Sequence, residues 1–227
     1  MADPTTHASS AAFHDPSRTR VVGAPLDRAR AAVILLHGRG GSAEDIASLA
    51  QVLAADRLCF LIPEATGHTW YPQRFIAPLA ANEPWLGSAL AVVGALVTRV
   101  AGARIESRRT AIAGFSQGAC LALESVARMP ARYGAAIALS GALIGPPDEP
   151  RPPVPAGRSL EGTPVFLGCG DQDGHIPAAS VEASAAVLRG LGGVVDVRLY
   201  PGMGHTINQD EIGAARALLT ALVSRTV

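Results

Sequence analysis

Three residue types that together make a serine nucleophile stand in order along this chain. Ser116 lies at the centre of Gly114-Phe115-Ser116-Gln117-Gly118, a G-x-S-x-G motif. Acids follow at Asp171 and Asp173, and a histidine at His205. A serine hydroxyl is a poor nucleophile near neutral pH. It needs a base to take its proton, and the base needs a third group to orient it. His205 can be the base, and either aspartate can be the orienting acid. The motif has the right surroundings: apolar Ala111 to Ala113 before it reads as a strand, and Ala119 to Leu123 after it as a helix. A nucleophile elbow is this kind of sharp strand-to-helix turn. Side chains two residues either side of the serine would clash in so tight a turn, and Gly114 and Gly118 remove that clash.

Acyl transfer also needs N–H donors for an oxyanion. The backbone amide of Gln117, directly after the serine, supplies one. A second is expected from His37-Gly38-Arg39-Gly40-Gly41, where glycines let backbone approach a substrate. As a phosphate loop this stretch fails, because position 43 is alanine and the chain has no lysine. The absence of lysine also excludes a Walker P-loop, a Schiff-base lysine and a Ser-x-x-Lys nucleophile. The Asp171–Asp173 pair lacks the following glutamate of a calcium loop, and no H-E-x-x-H occurs, so no metal and no cofactor are expected.

These residues require elements to hold them. Residues 31–36 and 58–62 are continuous apolar runs, the pattern of strands buried on both faces. Further strands are expected at 21–26, 110–113, 134–140, 165–168 and 194–200. Helices are expected from Ser42, as a cap answered by Asp45, and at 84–103, 117–127, 178–189 and 209–223. Such alternation implies an α/β fold with a mostly parallel central sheet covered by helices on both faces. Ligands of such sheets bind beyond the carboxyl ends of the strands. His37, Ser116, Asp173 and His205 each follow a strand there. The chain of 227 residues is read as one domain over 19–227, behind a loose tail at 1–18.

Nineteen basic and nineteen acidic residues cancel, so nothing favours nucleic acid as a partner or stable association with an anionic membrane. The three cysteines sit in apolar runs without short-range pairing, which suits a reducing, cytoplasmic setting. The N-terminus lacks a signal-peptide pattern, and the continuous apolar runs are shorter than a bilayer span.

LLHGRGG, GFSQGA, GDQDGHIP and GMGH, in this order, resemble the phospholipase/carboxylesterase family of small α/β-hydrolases, over about residues 30–225. The resemblance implies an α/β-hydrolase fold and a cofactor-free carboxylesterase acting on a small-molecule ester. It implies Asp173, the second aspartate of the acidic motif, as the triad acid. It also implies Arg39 as the second oxyanion donor. It allows a homodimer. An acyl thioesterase or lysophospholipase would use the same triad; a non-catalytic ligand-binding α/β-hydrolase is the reading from another class. The chain departs from the family at Cys169, where histidine is frequent, and from its thioesterase branch at Arg39 and Gly41. The stretch GHTWYPQRFIAPLAANEPWL is nearer to a bacterial esterase branch. Four of the ten aromatic residues cluster there. Trp70, Tyr71, Phe75 and Trp85, with Leu143 and Met203, are therefore expected to line the acyl pocket.

Overall fold

A computed structural model describes residues 13–224. Among the described residues, seven strands form one sheet in the order β1-β3-β2-β4-β5-β6-β7. They are β1 (Thr19–Gly23), β2 (Ala31–Leu36), β3 (Leu58–Pro63), β4 (Thr110–Phe115), β5 (Ala135–Leu139), β6 (Pro164–Gly170) and β7 (Val194–Tyr200). Only β1 runs antiparallel, paired to β3; every other pairing is parallel. The first strand lies slightly earlier than the expected 21–26, because its register runs from Thr19 opposite Pro63 to Gly23 opposite Cys59.

Among the described residues, five α-helices cover the sheet: α1 (Ala43–Leu53), α2 (Trp85–Gly102), α3 (Gln117–Arg128), α4 (Ala178–Gly190) and α5 (Gln209–Ser224). Side chains alternate across a strand, so β2 divides its run between two cores. Ala32, Ile34 and Leu36 pack with residues of α2, α3 and α4, whereas Ala31, Val33 and Leu35 pack with those of α1 and α5. Full burial on both faces is why this strand has no polar position. The Ser42 side chain caps α1 by accepting from Asp45 N at 3.1 Å, as its spacing predicts.

Chain order reverses at β2, which has β3 on one side and β4 on the other. That switch point opens a crevice above the carboxyl ends of β2 and β4. The loop after β2 and the turn after β4 meet there.

The loose tail expected at 1–18 needs correction. Of the tail at 1–18, residues 1–12 lie outside the described residues, but 13–18 are docked. His14 is buried, with Nε2 bonded to Trp70 O at 2.9 Å and Nδ1 accepting from Thr66 N at 3.2 Å. Phe13 stacks on Trp85, with ring centroids 4.6 Å apart. Polar composition hid these contacts because one imidazole satisfies two backbone groups. By length and composition alone α2 would suffice to cross a bilayer, with mean hydropathy 1.5 over 18 residues. Its continuous apolar runs are short, as expected, because serine, glycine and threonine punctuate the helix. Here Leu86, Ala89, Val92, Val93, Leu96 and Val100 face the protein interior. The proline-rich loop at 146–155 is anchored to the core through Arg151. Buried Glu124 bonds Arg128 Nε at 2.6 Å, Ile144 N at 3.1 Å and Arg151 in this loop.

Two buried groups give stability opposite pH dependences. Burial lowers the pKa of His14, against the bond to Trp70. The unfolded chain then takes up a proton first, so this contribution is lost as pH falls below about 6.5. Glu211 has no exposed surface, and its Oε1 has no partner among the described residues. Burial pushes its pKa up to about 7. Its contribution is therefore full at low pH and lost as pH rises from about 4.5 through 7. Glu211→Gln should gain stability over the native protein across that window, by up to about 2 kcal/mol. Urea midpoints at successive pH values measure it; parallel curves for the two proteins would contradict the assignment.

Candidate active site

The turn between β4 and α3 is shaped by backbone crowding. A Cβ at Gly114 would lie 2.4 Å from the carbonyl of Gly118, across the turn. A Cβ at Gly118 would lie 2.2 Å from Leu36 O and 2.5 Å from His37 O, at the end of β2. The second glycine thus serves contact with the neighbouring strand as well as the turn. Ser116 pays for the geometry with φ 55° and ψ −121°. A left-handed φ costs a non-glycine residue on the order of 1–3 kcal/mol. Its N–H donates to Leu139 O at 3.0 Å and its carbonyl accepts from Cys120 N at 3.0 Å, so β5 and α3 hold it from both sides.

Ser116 Oγ lies 2.8 Å from His205 Nε2. His205 Nδ1 lies 2.7 Å from Asp173 Oδ2. The other oxygen, Oδ1, accepts from His175 N at 2.8 Å and Ile176 N at 3.0 Å. Burial opposes ionisation of Asp173, yet its bonds to His205, Ile176 and His175 outweigh burial and lower its pKa. An ionised Asp173 accepts Nδ1–H, which leaves Nε2 to accept from the serine hydroxyl. Asp171 is elsewhere: its Oδ1 accepts from Gly202 N at 2.7 Å. That bond ties the 201–208 loop, which carries His205, to the end of β6.

The same loop depends on Gly170. A Cβ there would fall 1.9 Å from Met203 O. The imidazole is further confined by Phe115 and His175, whose rings lie 5.1 and 4.7 Å from it. Cys169, at the position of departure from the family pattern, sits buried behind the acid. Its Sγ is 3.5 Å from Asp173 Oδ2. Burial first, then the Asp173 charge, pushes this thiol up to about 12.

Gly38, Arg39, Ser116, Gln117 and His205 line one cleft of about 300 Å³. Gln117 opens α3, where backbone N–H groups have no intrahelical acceptor. The N–H of Arg39 also makes no hydrogen bond among the described residues. Both side chains have a second task that sequence reasoning missed. Gln117 Oε1 accepts from Trp70 N at 3.0 Å and its Nε2 donates to Tyr71 O at 2.8 Å. Arg39 donates to Tyr71 O and Pro72 O, each at 2.9 Å, and to Gln73 O at 2.5 Å. The two residues staple the aromatic segment to the turn.

Of the six residues expected at the pocket, the structure brings Tyr71 and Phe75 to the cleft. Leu143 lines a small adjoining cavity that shares Phe75. Trp70 does not line the cleft: it is fully buried, and its Nε1 donates to His37 O at 2.9 Å. Trp85 lies outside, against Phe13. Met203 is turned to Asn208, with Nδ2 3.2 Å from its Sδ. Aromatic density marked the segment but not which rings face inward. Arg74, Phe115, Cys120, His175 and Ile176 complete the cleft wall. Phe115 and His175 lie inside the motifs themselves, at variable positions where a pattern carries no signal. Among the described residues, no group of three or more His, Cys, Asp or Glu side chains is placed to hold a metal ion.

A model of the phospholipase/carboxylesterase family matches residues 17–223. A crystal structure of a phospholipase/carboxylesterase from Dyadobacter fermentans is 39% identical, covering 92% of this chain and 98% of that one, with a TM-score of 0.83. Acyl-protein thioesterase 1 of Eremothecium gossypii is 26% identical over 88% of this chain and 91% of its own length. Acyl-protein thioesterase 1 of Gibberella zeae is 32% identical over 117 residues, 51% of this chain and 48% of that protein, so the match spans about half its length.

The glycine at the end of β6 offers a direct check on the geometry. Gly170→Ala should cost about 2–3 kcal/mol, because the atom it would strike is backbone. Gly174→Ala, four residues on with nothing within 4 Å of an added Cβ, should stay within about 0.5 kcal/mol of the native protein. Chemical denaturation of both variants reads the difference, and equal losses would show that the loop is not packed this closely.

Proposed function

Because the chain belongs to the phospholipase/carboxylesterase family, we propose that it is a serine carboxylesterase that hydrolyses short-to-medium-chain esters through an acyl-enzyme on Ser116. The observation that carries this reading is the relay from Ser116 Oγ through both nitrogens of His205 to Asp173, at 2.8 and 2.7 Å. His205 Nε2 takes the serine proton as Oγ attacks the ester carbonyl. Asp173, ionised and fully bonded, fixes the tautomer and stabilises the imidazolium that forms. The oxyanion is met by the N–H groups of Gln117 and Arg39. Amides already held in place need no reorganisation as charge develops, which is the source of their effect. The positive end of α3 reinforces them. His205 then returns its proton to the leaving alcohol. Water, activated by the same imidazole, cleaves the acyl-enzyme and frees the acid.

The wall formed by Tyr71, Phe75, Phe115 and Ile176 is apolar, and a cleft of about 300 Å³ is at the small end of ligand pockets. This favours short and medium acyl groups. The fungal relatives named acyl-protein thioesterases support a second substrate, a thioester, for the same residues. Thiolate is the better leaving group, so the relay needs no change to accept it.

Ser116→Ala should lower turnover of p-nitrophenyl butyrate by on the order of 10⁶. Asp173→Asn should lower it by about 10⁴, since the wrong tautomer then faces the serine. Initial rates on purified protein decide the matter, together with labelling by a fluorophosphonate probe. A Ser116→Ala protein that still turns over the ester, or still takes the label, would overturn the assignment. A matched series of acyl chain lengths, as esters and as thioesters, should peak at short or medium length.

A further inference from the structure

The charged side chains around the cleft are of one sign. Arg39 and Arg74 line it, and no aspartate or glutamate is among its lining residues. The whole chain is balanced, with 19 basic and 19 acidic residues, so the excess is local to this site. Asp173 is not a lining residue and offers no free oxygen to a guanidinium. That carboxylate is buried behind His205, and both its oxygens are taken.

The two arginines are in different states. Arg39 is committed to structure: its guanidinium holds the carbonyls of Tyr71, Pro72 and Gln73 and lies 5.9 Å from the Tyr71 ring centroid. Those three bonds leave two of its five N–H donors unused. Arg74 is exposed, and its guanidinium makes no hydrogen bond or ion pair among the described residues. Its backbone, by contrast, is fixed. The Arg74 carbonyl accepts from Ala77 N at 3.0 Å and from Asn82 Nδ2 at 3.4 Å, and the adjacent Gln73 N donates to Asn82 Oδ1 at 2.8 Å. Asn82 is fully buried. An uncommitted cation is therefore held on a rigid segment at the cleft.

A neutral ester gains little from two guanidinium groups. A carboxylate gains a charge-assisted bond, strengthened where apolar walls displace water. We infer that this cleft selects esters bearing a second, ionised carboxylate, with Arg74 as its partner and Arg39 adding charge. The inference rests on the serine-esterase reading of the same cleft and sharpens its substrate class. The bond chemistry is ordinary hydrolysis. A half-ester of a dicarboxylic acid and one water give the alcohol, the dicarboxylate and one proton released to solvent, and the carboxylate already present passes through unchanged. The reaction upstream would be one that esterifies a single end of a diacid.

The test compares monoethyl glutarate with ethyl valerate, which share the ethyl leaving group and the five-carbon acyl chain. Ethanol release gives kcat/KM for each. The native enzyme should favour the charged ester about tenfold at low salt. The preference should shrink at 0.5 M sodium chloride through screening. Arg74→Ala should bring the ratio of the two kcat/KM values near one, mainly through KM for the charged ester, and Arg74→Glu should invert it. A native preference for the neutral ester, or a ratio that neither Arg74 variant moves, overturns the inference. If the esters are cleaved and Ser116→Ala abolishes cleavage, that outcome leaves the esterase reading standing. If the native enzyme cleaves neither these esters nor p-nitrophenyl butyrate, the esterase reading itself falls.

Discussion

The contact on which the site depends is between backbone and backbone. The first turn of α3 presses against the end of β2, with room for a hydrogen but not a methyl at Gly118. Close packing of this kind is unforgiving, since carbonyl groups cannot move as a side-chain tip can. It brings the turn that bears Ser116 against the loop that bears Arg39. Gly38 lies on the other side of the same approach, where an added Cβ would be 3.3 Å from Ser116 Cβ. The unfavourable φ of Ser116 is sustained by these neighbours, because β5 and α3 fix its N–H and carbonyl.

The pocket wall hangs from this junction. Arg39 and Gln117, which line the cleft, are also the residues whose side chains bind Trp70, Tyr71, Pro72 and Gln73. The same two side chains therefore tie the wall to the turn after β4 and to the loop after β2. Trp70 completes the link by donating to His37 O, and His37 Nε2 accepts from Ala65 N at 3.1 Å. Burial lowers the pKa of His37, which keeps that acceptor nitrogen free of a proton.

On the far side, the 201–208 loop is set by the end of β6. Asp171 and Asp173 divide the work. One ties down the loop through Gly202, the other meets the imidazole it carries. Ser140 adds a third tie, its hydroxyl donating to Thr206 O at 3.2 Å. A short acidic motif thus both builds the loop and supplies the partner of His205.

The sequence by itself was enough to identify the parallel sheet, the elbow and the order serine, acid, histidine. These rest on local signals: continuous apolar runs for doubly buried strands, glycines at a tight turn, polar residues just past strand ends. The first strand was legible only within a few residues, since its bounds follow pairing with β3 rather than its own pattern. What needed tertiary structure was everything decided by direction. Asp171 and Asp173 are equivalent by type and differ by family pattern; in space one faces His205 and the other faces Gly202. Trp70, Trp85 and Met203 suit a pocket by composition, but packing turned them to His37, Phe13 and Asn208. Tyr71 and Phe75 were turned inward instead. The side-chain tasks of Arg39 and Gln117, the docking of His14 and the uncommitted charge of Arg74 join residues far apart in the chain. Periodicity and motif spacing report which face of an element is buried. They do not report what that face meets, and the wall of this cleft is built from such meetings.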